Sequence, residues 1–355
     1  MYINVSKLGH SGTGMWQYSL NFIEAVSQLG QLEGIICSKM HRDKFGSYNC
    51  KIVTVPDFVA SSSRVSKFKP ILWLLYSYVL SIYLLCKCRS RILSTTHHAL
   101  PFIRNQIMTI HDVRPYYHPD SVFQKLYFRL LLPFHIKRCM AIVTVSNQVK
   151  ETISDLYGCD KGKIYVVYNA IHQDDFIFRS SPASNVILAV GANWKHKNVH
   201  TFINAHEAWT HKYILKVICA ETEYYNFMKQ LVSYHKLGDS VVFMHNMPFD
   251  ALKEEFASAW CFIYPSIDEG FGIPPIEAAC SGTPVIAADI PVFKEILSDA
   301  VVYVDPDSYQ SWAESIQTLT DHYDVYVQKG LERAAKYNFD FMIANISLLL
   351  TGIRL

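Results

Sequence analysis

The 355-residue sequence lacks a strong net charge of either sign. Its 33 Lys and Arg residues are balanced by 31 Asp and Glu residues, which gives a formal net charge of +2 at pH 7. Nucleic-acid-binding domains usually carry a clear excess of basic residues, so this balance predicts no nucleic-acid partner. Because half of the residues are hydrophobic, the chain is long enough for two ordinary domains, each with its own core.

The sequence also lacks a hydrophobic run long enough to span a bilayer. Its most apolar stretch, residues 71–86, would form a helix of about 24 Å at ~1.5 Å per residue, shorter than the ~30 Å hydrocarbon core. Five basic residues flank this stretch: Lys67, Lys69, Lys87, Arg89 and Arg91. Basic flanks favour an anionic membrane surface. Two interpretations stay open, namely a helix packed in the core and a helix that docks peripherally on a membrane through residues 67–91.

A secretory leader is missing from the start of the sequence. The first residues, MYINVSKLG, have the pattern of a strand and lack a basic region followed by an apolar one. The nine cysteines are scattered, and the closest pair, Cys86 and Cys88, does not have the spacing of a zinc or redox motif. These features predict reduced thiols and a cytoplasmic location.

Recognisable metal motifs are missing as well. The sequence has no H-E-x-x-H and no clustered His and Cys spacing. Asp305 and Asp307 form an Asp-x-Asp pair, which is a metal motif in another transferase fold, but they lie between a strand pattern and SYQSW. We interpret this pair as a turn and a helix cap. The sequence therefore predicts no metal and no other cofactor.

Short apolar strands alternate with helical stretches along almost the whole chain. This alternation predicts parallel sheets that are covered by helices on both faces. A break at FRSSPASN, residues 178–185, has the composition of a linker. We expect an α/β protein with two doubly wound, Rossmann-like domains, 1–180 and 181–335. A C-terminal helix at 336–355 follows, for which packing back on the first domain is one option.

The candidate site residues of the first domain lie at the carboxyl ends of its strands, where ligands of such sheets bind. A cleft between the two domains is the expected site. Gly12, Thr13 and Gly14 come where a helix begins, and free N–H groups at a helix start favour phosphate. A tight turn without a ligand explains these three residues equally well. His111 directly follows the strand QIMTI, and a structural role is the alternative for it.

The second domain supplies a lysine and two glutamates in corresponding positions. Lys197 lies where the chain turns from a strand into a helix, so its ammonium group can meet a diphosphate, although an exposed turn lysine is the ordinary alternative. Glu269 and Glu277 flank a glycine- and proline-rich turn after the strand CFIYPS. Pro274 and Pro275 suit the first turn of a helix, which places Glu277 in that turn. Such carboxylates can hold hydroxyl groups, and a helix-start cap is the alternative.

Taken together, these motifs resemble glycosyltransferase family 4, a family of retaining enzymes with the GT-B fold. The resemblance rests first on EGFGIPPIEA followed by GTPV, an E-x7-E motif that runs from Glu269 to Val285. Further motifs follow in the family's order: TIHDVRPYYHP, TVSNQVKETI, VVYNAI, VGANWKHKN and DAVVYVDPDSYQSW. The resemblance covers nearly the whole chain and is weakest at residues 39–90. Within the family, the sequence resembles bacterial mannosyltransferases of surface-polysaccharide synthesis.

The resemblance implies a role for each candidate residue. Glu277 would accept hydrogen bonds from the nucleotide ribose, whereas Glu269 and His111 would contact the transferred sugar. Lys197 would neutralise the leaving diphosphate, and Met247 would line the base pocket. Backbone N–H groups of five residues would hold the sugar and the diphosphate: Gly12, Thr13, Phe271, Gly272 and Ile273. His196 stands where the family commonly has Arg, and a neutral imidazole there would weaken the phosphate clamp.

The resemblance also implies the reaction. It predicts a metal-independent hexosyltransferase that uses a nucleotide sugar, with GDP-mannose as the expected donor. The expected acceptor is a growing, lipid-linked bacterial surface glycan such as the O-antigen of lipopolysaccharide, which would place the enzyme on the cytoplasmic face of the inner membrane. Two alternatives stay open: another sugar-nucleotide enzyme of this fold, such as an epimerase, and a non-catalytic partner protein at the membrane surface.

Overall fold

The computed structural model describes residues 1–9, 13–59, 69–87 and 90–353. The chain divides into two compact units, one formed by Met1–Ala170 with Phe339–Leu355 and the other by Ile171–Asn338. The first boundary thus falls earlier than the expected position at 180. The segment expected to be a linker belongs to the second unit, because its backbone is hydrogen-bonded there: the N–H of Arg179 donates to Ser281 O (3.1 Å) and that of Ala183 to Ser258 O (3.2 Å).

The first unit is built on a parallel sheet, which has seven strands within the described residues. They are β1 (Tyr2–Asn4), β2 (Gly34–Ser38), β3 (Lys51–Val55), β4 (Ile92–Ser94), β5 (Gln106–Ile110), β6 (Ala141–Thr144) and β7 (Ile164–Val166). The spatial order is β3-β2-β1-β4-β5-β6-β7. The chain therefore builds outward in opposite directions from β1 and β4, and the gap beyond the carboxyl ends of these two strands is where ligands of such sheets bind.

Six described helices lie between β1 and β7 along the chain: α1 (Gly14–Gln28), α2 (Lys69–Lys87), α3 (Arg114–Tyr117), α4 (Val122–Leu126), α5 (Leu132–Arg138) and α6 (Asn147–Tyr157). A π-helical turn, Tyr127–Leu131, joins α4 to α5. Local capping explains where two of these helices begin. The hydroxyl of Thr13 accepts from Trp16 N (3.2 Å) before α1, and that of Ser146 accepts from Val149 N (3.2 Å) before α6.

Helix α2 carries the apolar stretch that the sequence left open between core and membrane. Trp73, Leu80 and Leu84 are buried against the first unit's core, whereas Leu75 and Val79 on the other side of the helix are 62% and 61% exposed. One face is thus core, and the opposite face is apolar and exposed. Among the helices of the described residues, α2 included, none is both long and apolar enough to cross a membrane.

The second unit is built on another parallel sheet, with six strands among the residues described. They are β8 (Val186–Val190), β9 (Ile214–Ile218), β10 (Val241–Met244), β11 (Cys261–Tyr264), β12 (Val285–Ala288) and β13 (Val302–Val304). The spatial order is β10-β9-β8-β11-β12-β13. The direction of strand order reverses between β8 and β11, which are paired in register with Ile187 opposite Cys261.

Seven described helices cover this sheet: α7 (Val199–Asn204), α8 (Glu223–Tyr234), α9 (Phe249–Ser258), α10 (Ile273–Cys280), α11 (Pro291–Leu297), α12 (Tyr309–Asp321) and α13 (Tyr323–Ala335). Aromatic side chains fill part of the core beneath them. The ring of Phe202 stacks on Trp209 at 5.1 Å between centroids and meets Trp312 edge-on at 4.7 Å. Such pairs add to the free energy gained by burial, so these aromatic side chains serve packing.

The last helix, α14 (Phe339–Gly352), returns to the first unit. It packs against α1, and the ring of Phe341 stacks on Tyr168 at 5.7 Å between centroids. The amide oxygen of Asn345 accepts a hydrogen bond from the Tyr168 N–H (3.5 Å). The C-terminal helix of the sequence prediction therefore completes the first unit.

Candidate functional site

The loops after β8 and β11 form the candidate site of the second unit. These two strands are neighbours in the sheet and run parallel, so the loops that follow them leave the same edge side by side. The strand order reverses at this point, which makes the edge the expected ligand position. The loop after β8 carries His196 and Lys197, and the loop after β11 carries Glu269.

Lys197 and Glu269 form an ion pair in this site. The Nζ of Lys197 lies 2.5 Å from Oε1 of Glu269, and the two side chains are only 17% and 13% exposed. Such limited exposure weakens screening by salt and water. The pair joins residues that lie 72 positions apart in the sequence. The structure thus brings together two residues that the sequence had placed in the site separately.

Tyr264 is a third member of this cluster, and the sequence analysis missed it. As the last residue of β11, it accepts a hydrogen bond from the Lys197 ammonium at 2.7 Å, and the same ammonium lies 4.9 Å from the centroid of its ring. Burial and the nearby carboxylates of Glu269 and Glu277 raise the pKa of the phenol well above its usual value. The phenol therefore stays neutral and acts as a hydrogen-bonding partner. No pattern in the sequence distinguishes Tyr264 from the other residues of this buried strand.

The turn between the two glutamates depends on a glycine. Gly272 precedes α10 with φ at +88°, and a Cβ at this position would lie 2.7 Å from Cε1 of Phe293. Only glycine adopts this conformation without strain and without a clash. Phe271 is buried against the ring of Tyr337, with 5.2 Å between centroids. The backbone at 271–273 is therefore held in one conformation where helix α10 begins.

Glu277 lies in the second turn of α10 and not in its first, because the helix begins at Ile273. This position moves it one residue beyond the expected place at the helix start. Burial of the carboxyl raises its pKa from 4.5 to about 7. A glutamate with such a pKa is half-protonated near neutral pH, which is common for groups that meet a ligand.

His196 connects the two loops through its backbone. Its carbonyl oxygen accepts a hydrogen bond from the Ile267 N–H (3.0 Å) and another from the Ser266 hydroxyl (3.2 Å). These bonds fix the loop after β11 against the turn that carries Lys197. The structure thereby gives His196 a positioning role that does not depend on its imidazole, and the role of the imidazole stays a prediction.

Met247 lies at the same end of the sheet but farther away. It follows β10, the edge strand, which is separated from β8 by β9, and the side chain is half-buried. Met247 therefore lies on the far side of β9 from Lys197 and Glu269. Its expected contact with a nucleotide base stays a prediction.

The candidate residues of the first unit lie after β1 and β5. Thr13 caps α1, and Gly14 is the first residue of that helix, whereas Gly12 lies outside the described residues. His111 follows β5, its Nε2 lies 2.8 Å from the carbonyl oxygen of Thr95, and its ring meets Tyr18 edge-on. Burial lowers the pKa of His111. A neutral imidazole with Nε2 at a carbonyl must donate there, which leaves Nδ1 as an acceptor.

The Asp-x-Asp pair forms a turn. The Asp305 carboxylate accepts a hydrogen bond from the N–H of Asp307 (3.1 Å), and the hydroxyl of Ser308 accepts one from Ser311 N as α12 begins. This is the turn and cap that the sequence predicted. The described ranges contain no group of three or more His, Cys, Asp or Glu side chains able to hold a metal ion.

Two family models match the chain. Residues 171–337 match the model described as Glycosyl transferases group 1, and residues 37–175 match the model described as Glycosyltransferase Family 4. A curated protein of Salmonella typhimurium, the O-antigen chain mannosyltransferase RfbU, is 44% identical over 343 residues, which cover 96% of this chain and 97% of that protein.

Solved structures share the fold across the whole chain. Sucrose-phosphate synthase from Thermosynechococcus elongatus superposes with a TM-score of 0.78 at 17% identity and covers 99% of this chain and 98% of its own. The Anabaena protein HepE, in complex with UDP and glucose, superposes with a TM-score of 0.74 at 15% identity and covers 99% of both chains. At such low identity, these structures bear on the fold alone.

Proposed function

Because the chain belongs to glycosyltransferase family 4 and has the GT-B fold of these enzymes, we propose that it is a mannosyltransferase that elongates an O-antigen. The observation that carries this choice is the 44% identity over 96% of the chain to the O-antigen chain mannosyltransferase RfbU. The enzyme class and the α/β fold expected from the sequence are confirmed. Mannose and O-antigen come from the name of that relative.

The proposed donor is a nucleotide sugar, and GDP-mannose is the specific proposal because the transferred sugar is proposed to be mannose. A diphosphate-linked donor fits the charges of the second unit. Lys197 supplies a cation for the diphosphate, and the Glu277 carboxylate can accept two hydroxyl hydrogens of a ribose. The matching role of His111 toward the transferred sugar, and of Thr13 toward the diphosphate, follows from the family resemblance.

In the proposed reaction, Lys197 changes partners. In the structure it is paired with Glu269 and Tyr264. A bound donor offers the ammonium a phosphate oxygen and offers the Glu269 carboxylate the hydroxyl groups of the sugar. As the bond between the sugar and the phosphate breaks, negative charge gathers on the leaving diphosphate, and a lysine already in place stabilises that charge where it develops.

Retention of the anomeric configuration is proposed to follow from attack on the same face of the sugar. The acceptor hydroxyl then forms the new glycosidic bond while the bond to the phosphate breaks, and the leaving phosphate oxygen takes the hydroxyl proton. This scheme uses no protein nucleophile. It also uses no metal, because the cationic contact to the diphosphate comes from Lys197.

The acceptor is proposed to be a lipid-linked saccharide that the enzyme meets at the cytoplasmic membrane surface. The exposed apolar face of α2, between basic flanking residues, supports peripheral contact through residues 67–91. Of the basic flanking residues, Lys67 and Arg89 lie outside the described ranges. Peripheral docking raises the local concentration of an acceptor whose sugar lies at the headgroup level.

Donor choice and reaction type can be tested in one assay. The purified protein is incubated with GDP-mannose, a UDP-sugar or an ADP-sugar, with and without a lipid-linked O-antigen acceptor. We expect GDP release and mannose incorporation only when GDP-mannose and acceptor are both present. Release of nucleotide without acceptor, or transfer of a different sugar, would contradict the proposal.

A further inference from the structure

The first unit contains a cavity of about 610 Å³ that the proposed donor chemistry does not use. Ligand pockets commonly have volumes of about 300–1,000 Å³. Helix α2, the residues after β4, and the helical segment 122–138 line this cavity. Its lining is mostly apolar, with Trp73 and Phe128 buried in the wall.

The outer part of the cavity has an apolar rim. Phe123, Leu126 and Leu130 line it from the helical segment 122–138, and they are 48%, 49% and 64% exposed. Ile71 lines it from α2, whose neighbouring face is also apolar and exposed. Soluble monomers rarely expose large continuous apolar patches, and such patches usually mark a binding surface. The cavity therefore opens among side chains that favour hydrocarbon over water.

The inner part of the cavity is polar and lies at the carboxyl edge of the sheet. Lys7 follows β1, and His97 and His98 follow β4, which are the two strands between which the strand order reverses. The ammonium of Lys7 lies 5.3 Å from the ring centroid of Trp73 and donates to Val59 O (3.1 Å). The two imidazole rings stack at 4.3 Å between centroids. Burial lowers the pKa of both, that of His97 to about 3, so both are neutral.

The charges around this cavity favour an anionic ligand. Asp120 lines the cavity and is paired with Arg114 at 3.0 Å, and Lys7 contributes an ammonium group to the cavity wall. From Phe58 to Lys150 the sequence has two acidic residues, Asp112 and Asp120, against thirteen Lys or Arg residues. The rest of the chain has the opposite balance. The stretch of sequence that supplies most of the cavity lining therefore has a positive net charge, which attracts phosphate.

We propose that this cavity binds the hydrocarbon chain of the phosphate-linked lipid that carries the acceptor saccharide. The phosphate contacts Lys7 at the inner end, and the chain leaves past Phe123, Leu126 and Leu130 toward the bilayer. The inner end lies close to His111, which is bonded to Thr95 two residues before His97. The saccharide thus starts at the carboxyl edge of the sheet. The assignment of this lipid to the acceptor rests on the proposed function.

Direct binding tests the cavity without any sugar transfer. The probe is a long-chain bromoalkyl phosphate, because bromine quenches nearby tryptophan fluorescence and Trp73 lies in the cavity wall. We expect saturable quenching of the full-length protein that is largely lost in Trp73→Phe. The double variant Leu126→Glu and Leu130→Glu should weaken binding about tenfold or more, since each leucine contributes apolar contact. The matched control, Leu348→Glu, changes an exposed leucine on α14 and should bind like the parent.

A second probe isolates the contribution of phosphate. The bromoalkyl alcohol of the same chain length should bind more weakly than the phosphate, and Lys7→Gln should weaken the phosphate while leaving the alcohol unchanged. Quenching that does not saturate, that persists in Trp73→Phe, or that is unaffected by the two glutamates would overturn the proposal. So would equal binding of bromine-labelled phosphatidylglycerol, because bilayer phospholipid would then be the occupant.

Transfer kinetics connect the cavity to the acceptor. The same saccharide is offered on a long polyprenyl diphosphate and on a short, water-soluble alkyl diphosphate. The double variant should raise KM for the long-chain acceptor about tenfold or more and leave KM for the short-chain acceptor unchanged. Equal effects on both acceptors would overturn the proposal. If the parent protein uses neither acceptor, the proposed function is wrong. The binding experiment still tests whether the cavity binds the lipid chain.

Discussion

Glu277 is a carboxyl that burial holds near half-protonation at neutral pH, since its pKa is raised to about 7. At pH values between 4.5, the ordinary pKa of a glutamate, and about 7, the folded state binds more protons at this residue than the unfolded state does. The contribution of Glu277 to the free energy of unfolding is therefore largest at low pH and is lost as the pH rises through about 7.

Nucleotide binding should follow the opposite course. A ribose donates its hydroxyl hydrogens best to the ionised carboxylate, so we expect affinity for GDP to rise about tenfold between pH 6 and pH 8 as Glu277 ionises. The variant Glu277→Gln should bind about ten- to a hundredfold more weakly at pH 8, because a hydrogen bond to a charged acceptor is lost.

Titration calorimetry at several pH values provides the measurement. Glu277→Gln also serves as the control for protonation of the nucleotide itself, because any slope that remains in this variant belongs to the phosphate. A parent protein with the same pH profile as Glu277→Gln would remove Glu277 from the ribose site.

Tyr264 offers a second prediction at this scale. Tyr264→Phe removes the hydroxyl that lies 2.7 Å from Lys197 Nζ and keeps the ring. Loss of a hydrogen bond to a charged group should misplace the ammonium and lower kcat about tenfold, with KM for the donor nearly unchanged. Steady-state kinetics check this, and thermal unfolding verifies that the variant is folded. An unchanged kcat would show that Glu269 alone positions the lysine.

Part of this residue-scale picture could be predicted from the sequence. Glu269 and Glu277 stand out because a strand, a glycine turn and two prolines surround them in a short stretch. Tyr264 does not stand out, since a tyrosine at the end of a buried strand has the same pattern whether its hydroxyl meets a lysine or not. The backbone role of His196 was equally invisible, because carbonyl contacts leave no trace in the side-chain pattern.

At the scale of an element, the two interpretations of helix α2, a core helix and a membrane-docking helix, correspond to its two opposite faces. Its core face explains why the helix folds, and its exposed apolar face stays without a covering element in the contacts described. The two faces cannot be distinguished from the sequence, because apolar residues occupy nearly every position from 71 to 86. Burial of Ser77 and Ser81 with the core face was also unexpected, and each hydroxyl bonds to a carbonyl one turn earlier.

We expect this element to bind anionic membranes. In liposome flotation at low salt, the parent protein should float with phosphatidylglycerol vesicles, and high salt should release it, because each basic residue near the surface adds about 1 kcal/mol that screening removes. Neutralising Lys69, Lys87 and Arg91 together should abolish flotation.

A matched variant controls for net charge. Neutralising three exposed lysines of the second unit, Lys212, Lys229 and Lys236, removes the same charge from other surfaces and should leave flotation intact. If the parent protein fails to float at low salt, or if both triple variants lose binding equally, docking through α2 is wrong.

At the scale of the whole molecule, each unit places several of its candidate residues where the order of its own sheet reverses. In the first unit this is between β1 and β4, and in the second between β8 and β11. In both units the functional loops leave the carboxyl edge of a parallel sheet, where side chains from distant parts of the sequence meet. The same architecture thus supports the proposed donor chemistry in one unit and the proposed lipid cavity in the other.

Metal independence is a prediction about the complete enzyme. Because Lys197 is proposed to take the role that a divalent cation would have at the diphosphate, mannose transfer should survive an excess of EDTA. Transfer is measured with chelated protein before and after Mg²⁺ or Mn²⁺ is added back. Activity that disappears with EDTA and returns with either ion would refute the metal-free scheme.

The sequence by itself determined the local structure and the identity of most candidate residues. Several features depend only on neighbours within a few positions in the sequence: strand and helix periodicity, capping residues such as Ser146, and the turn at Gly272. They can therefore be predicted from the sequence alone. The same holds for the turn at Asp305, where the hydrogen bond spans two residues. The division into two domains of the same class was also readable, because it follows from two series of alternating elements.

Only the tertiary structure decided which of these residues meet. Lys197 contacts Glu269 because β8 pairs on one side with β11, a strand distant in sequence, as well as with β9 on the other, and strand order is set by the packing of whole crossover units. The cavity beside Lys7 exists because α2 and the segment 122–138 both border the residues after β4. Contacts between distant segments depend on the summed burial of entire elements, and no local pattern of residues carries that information.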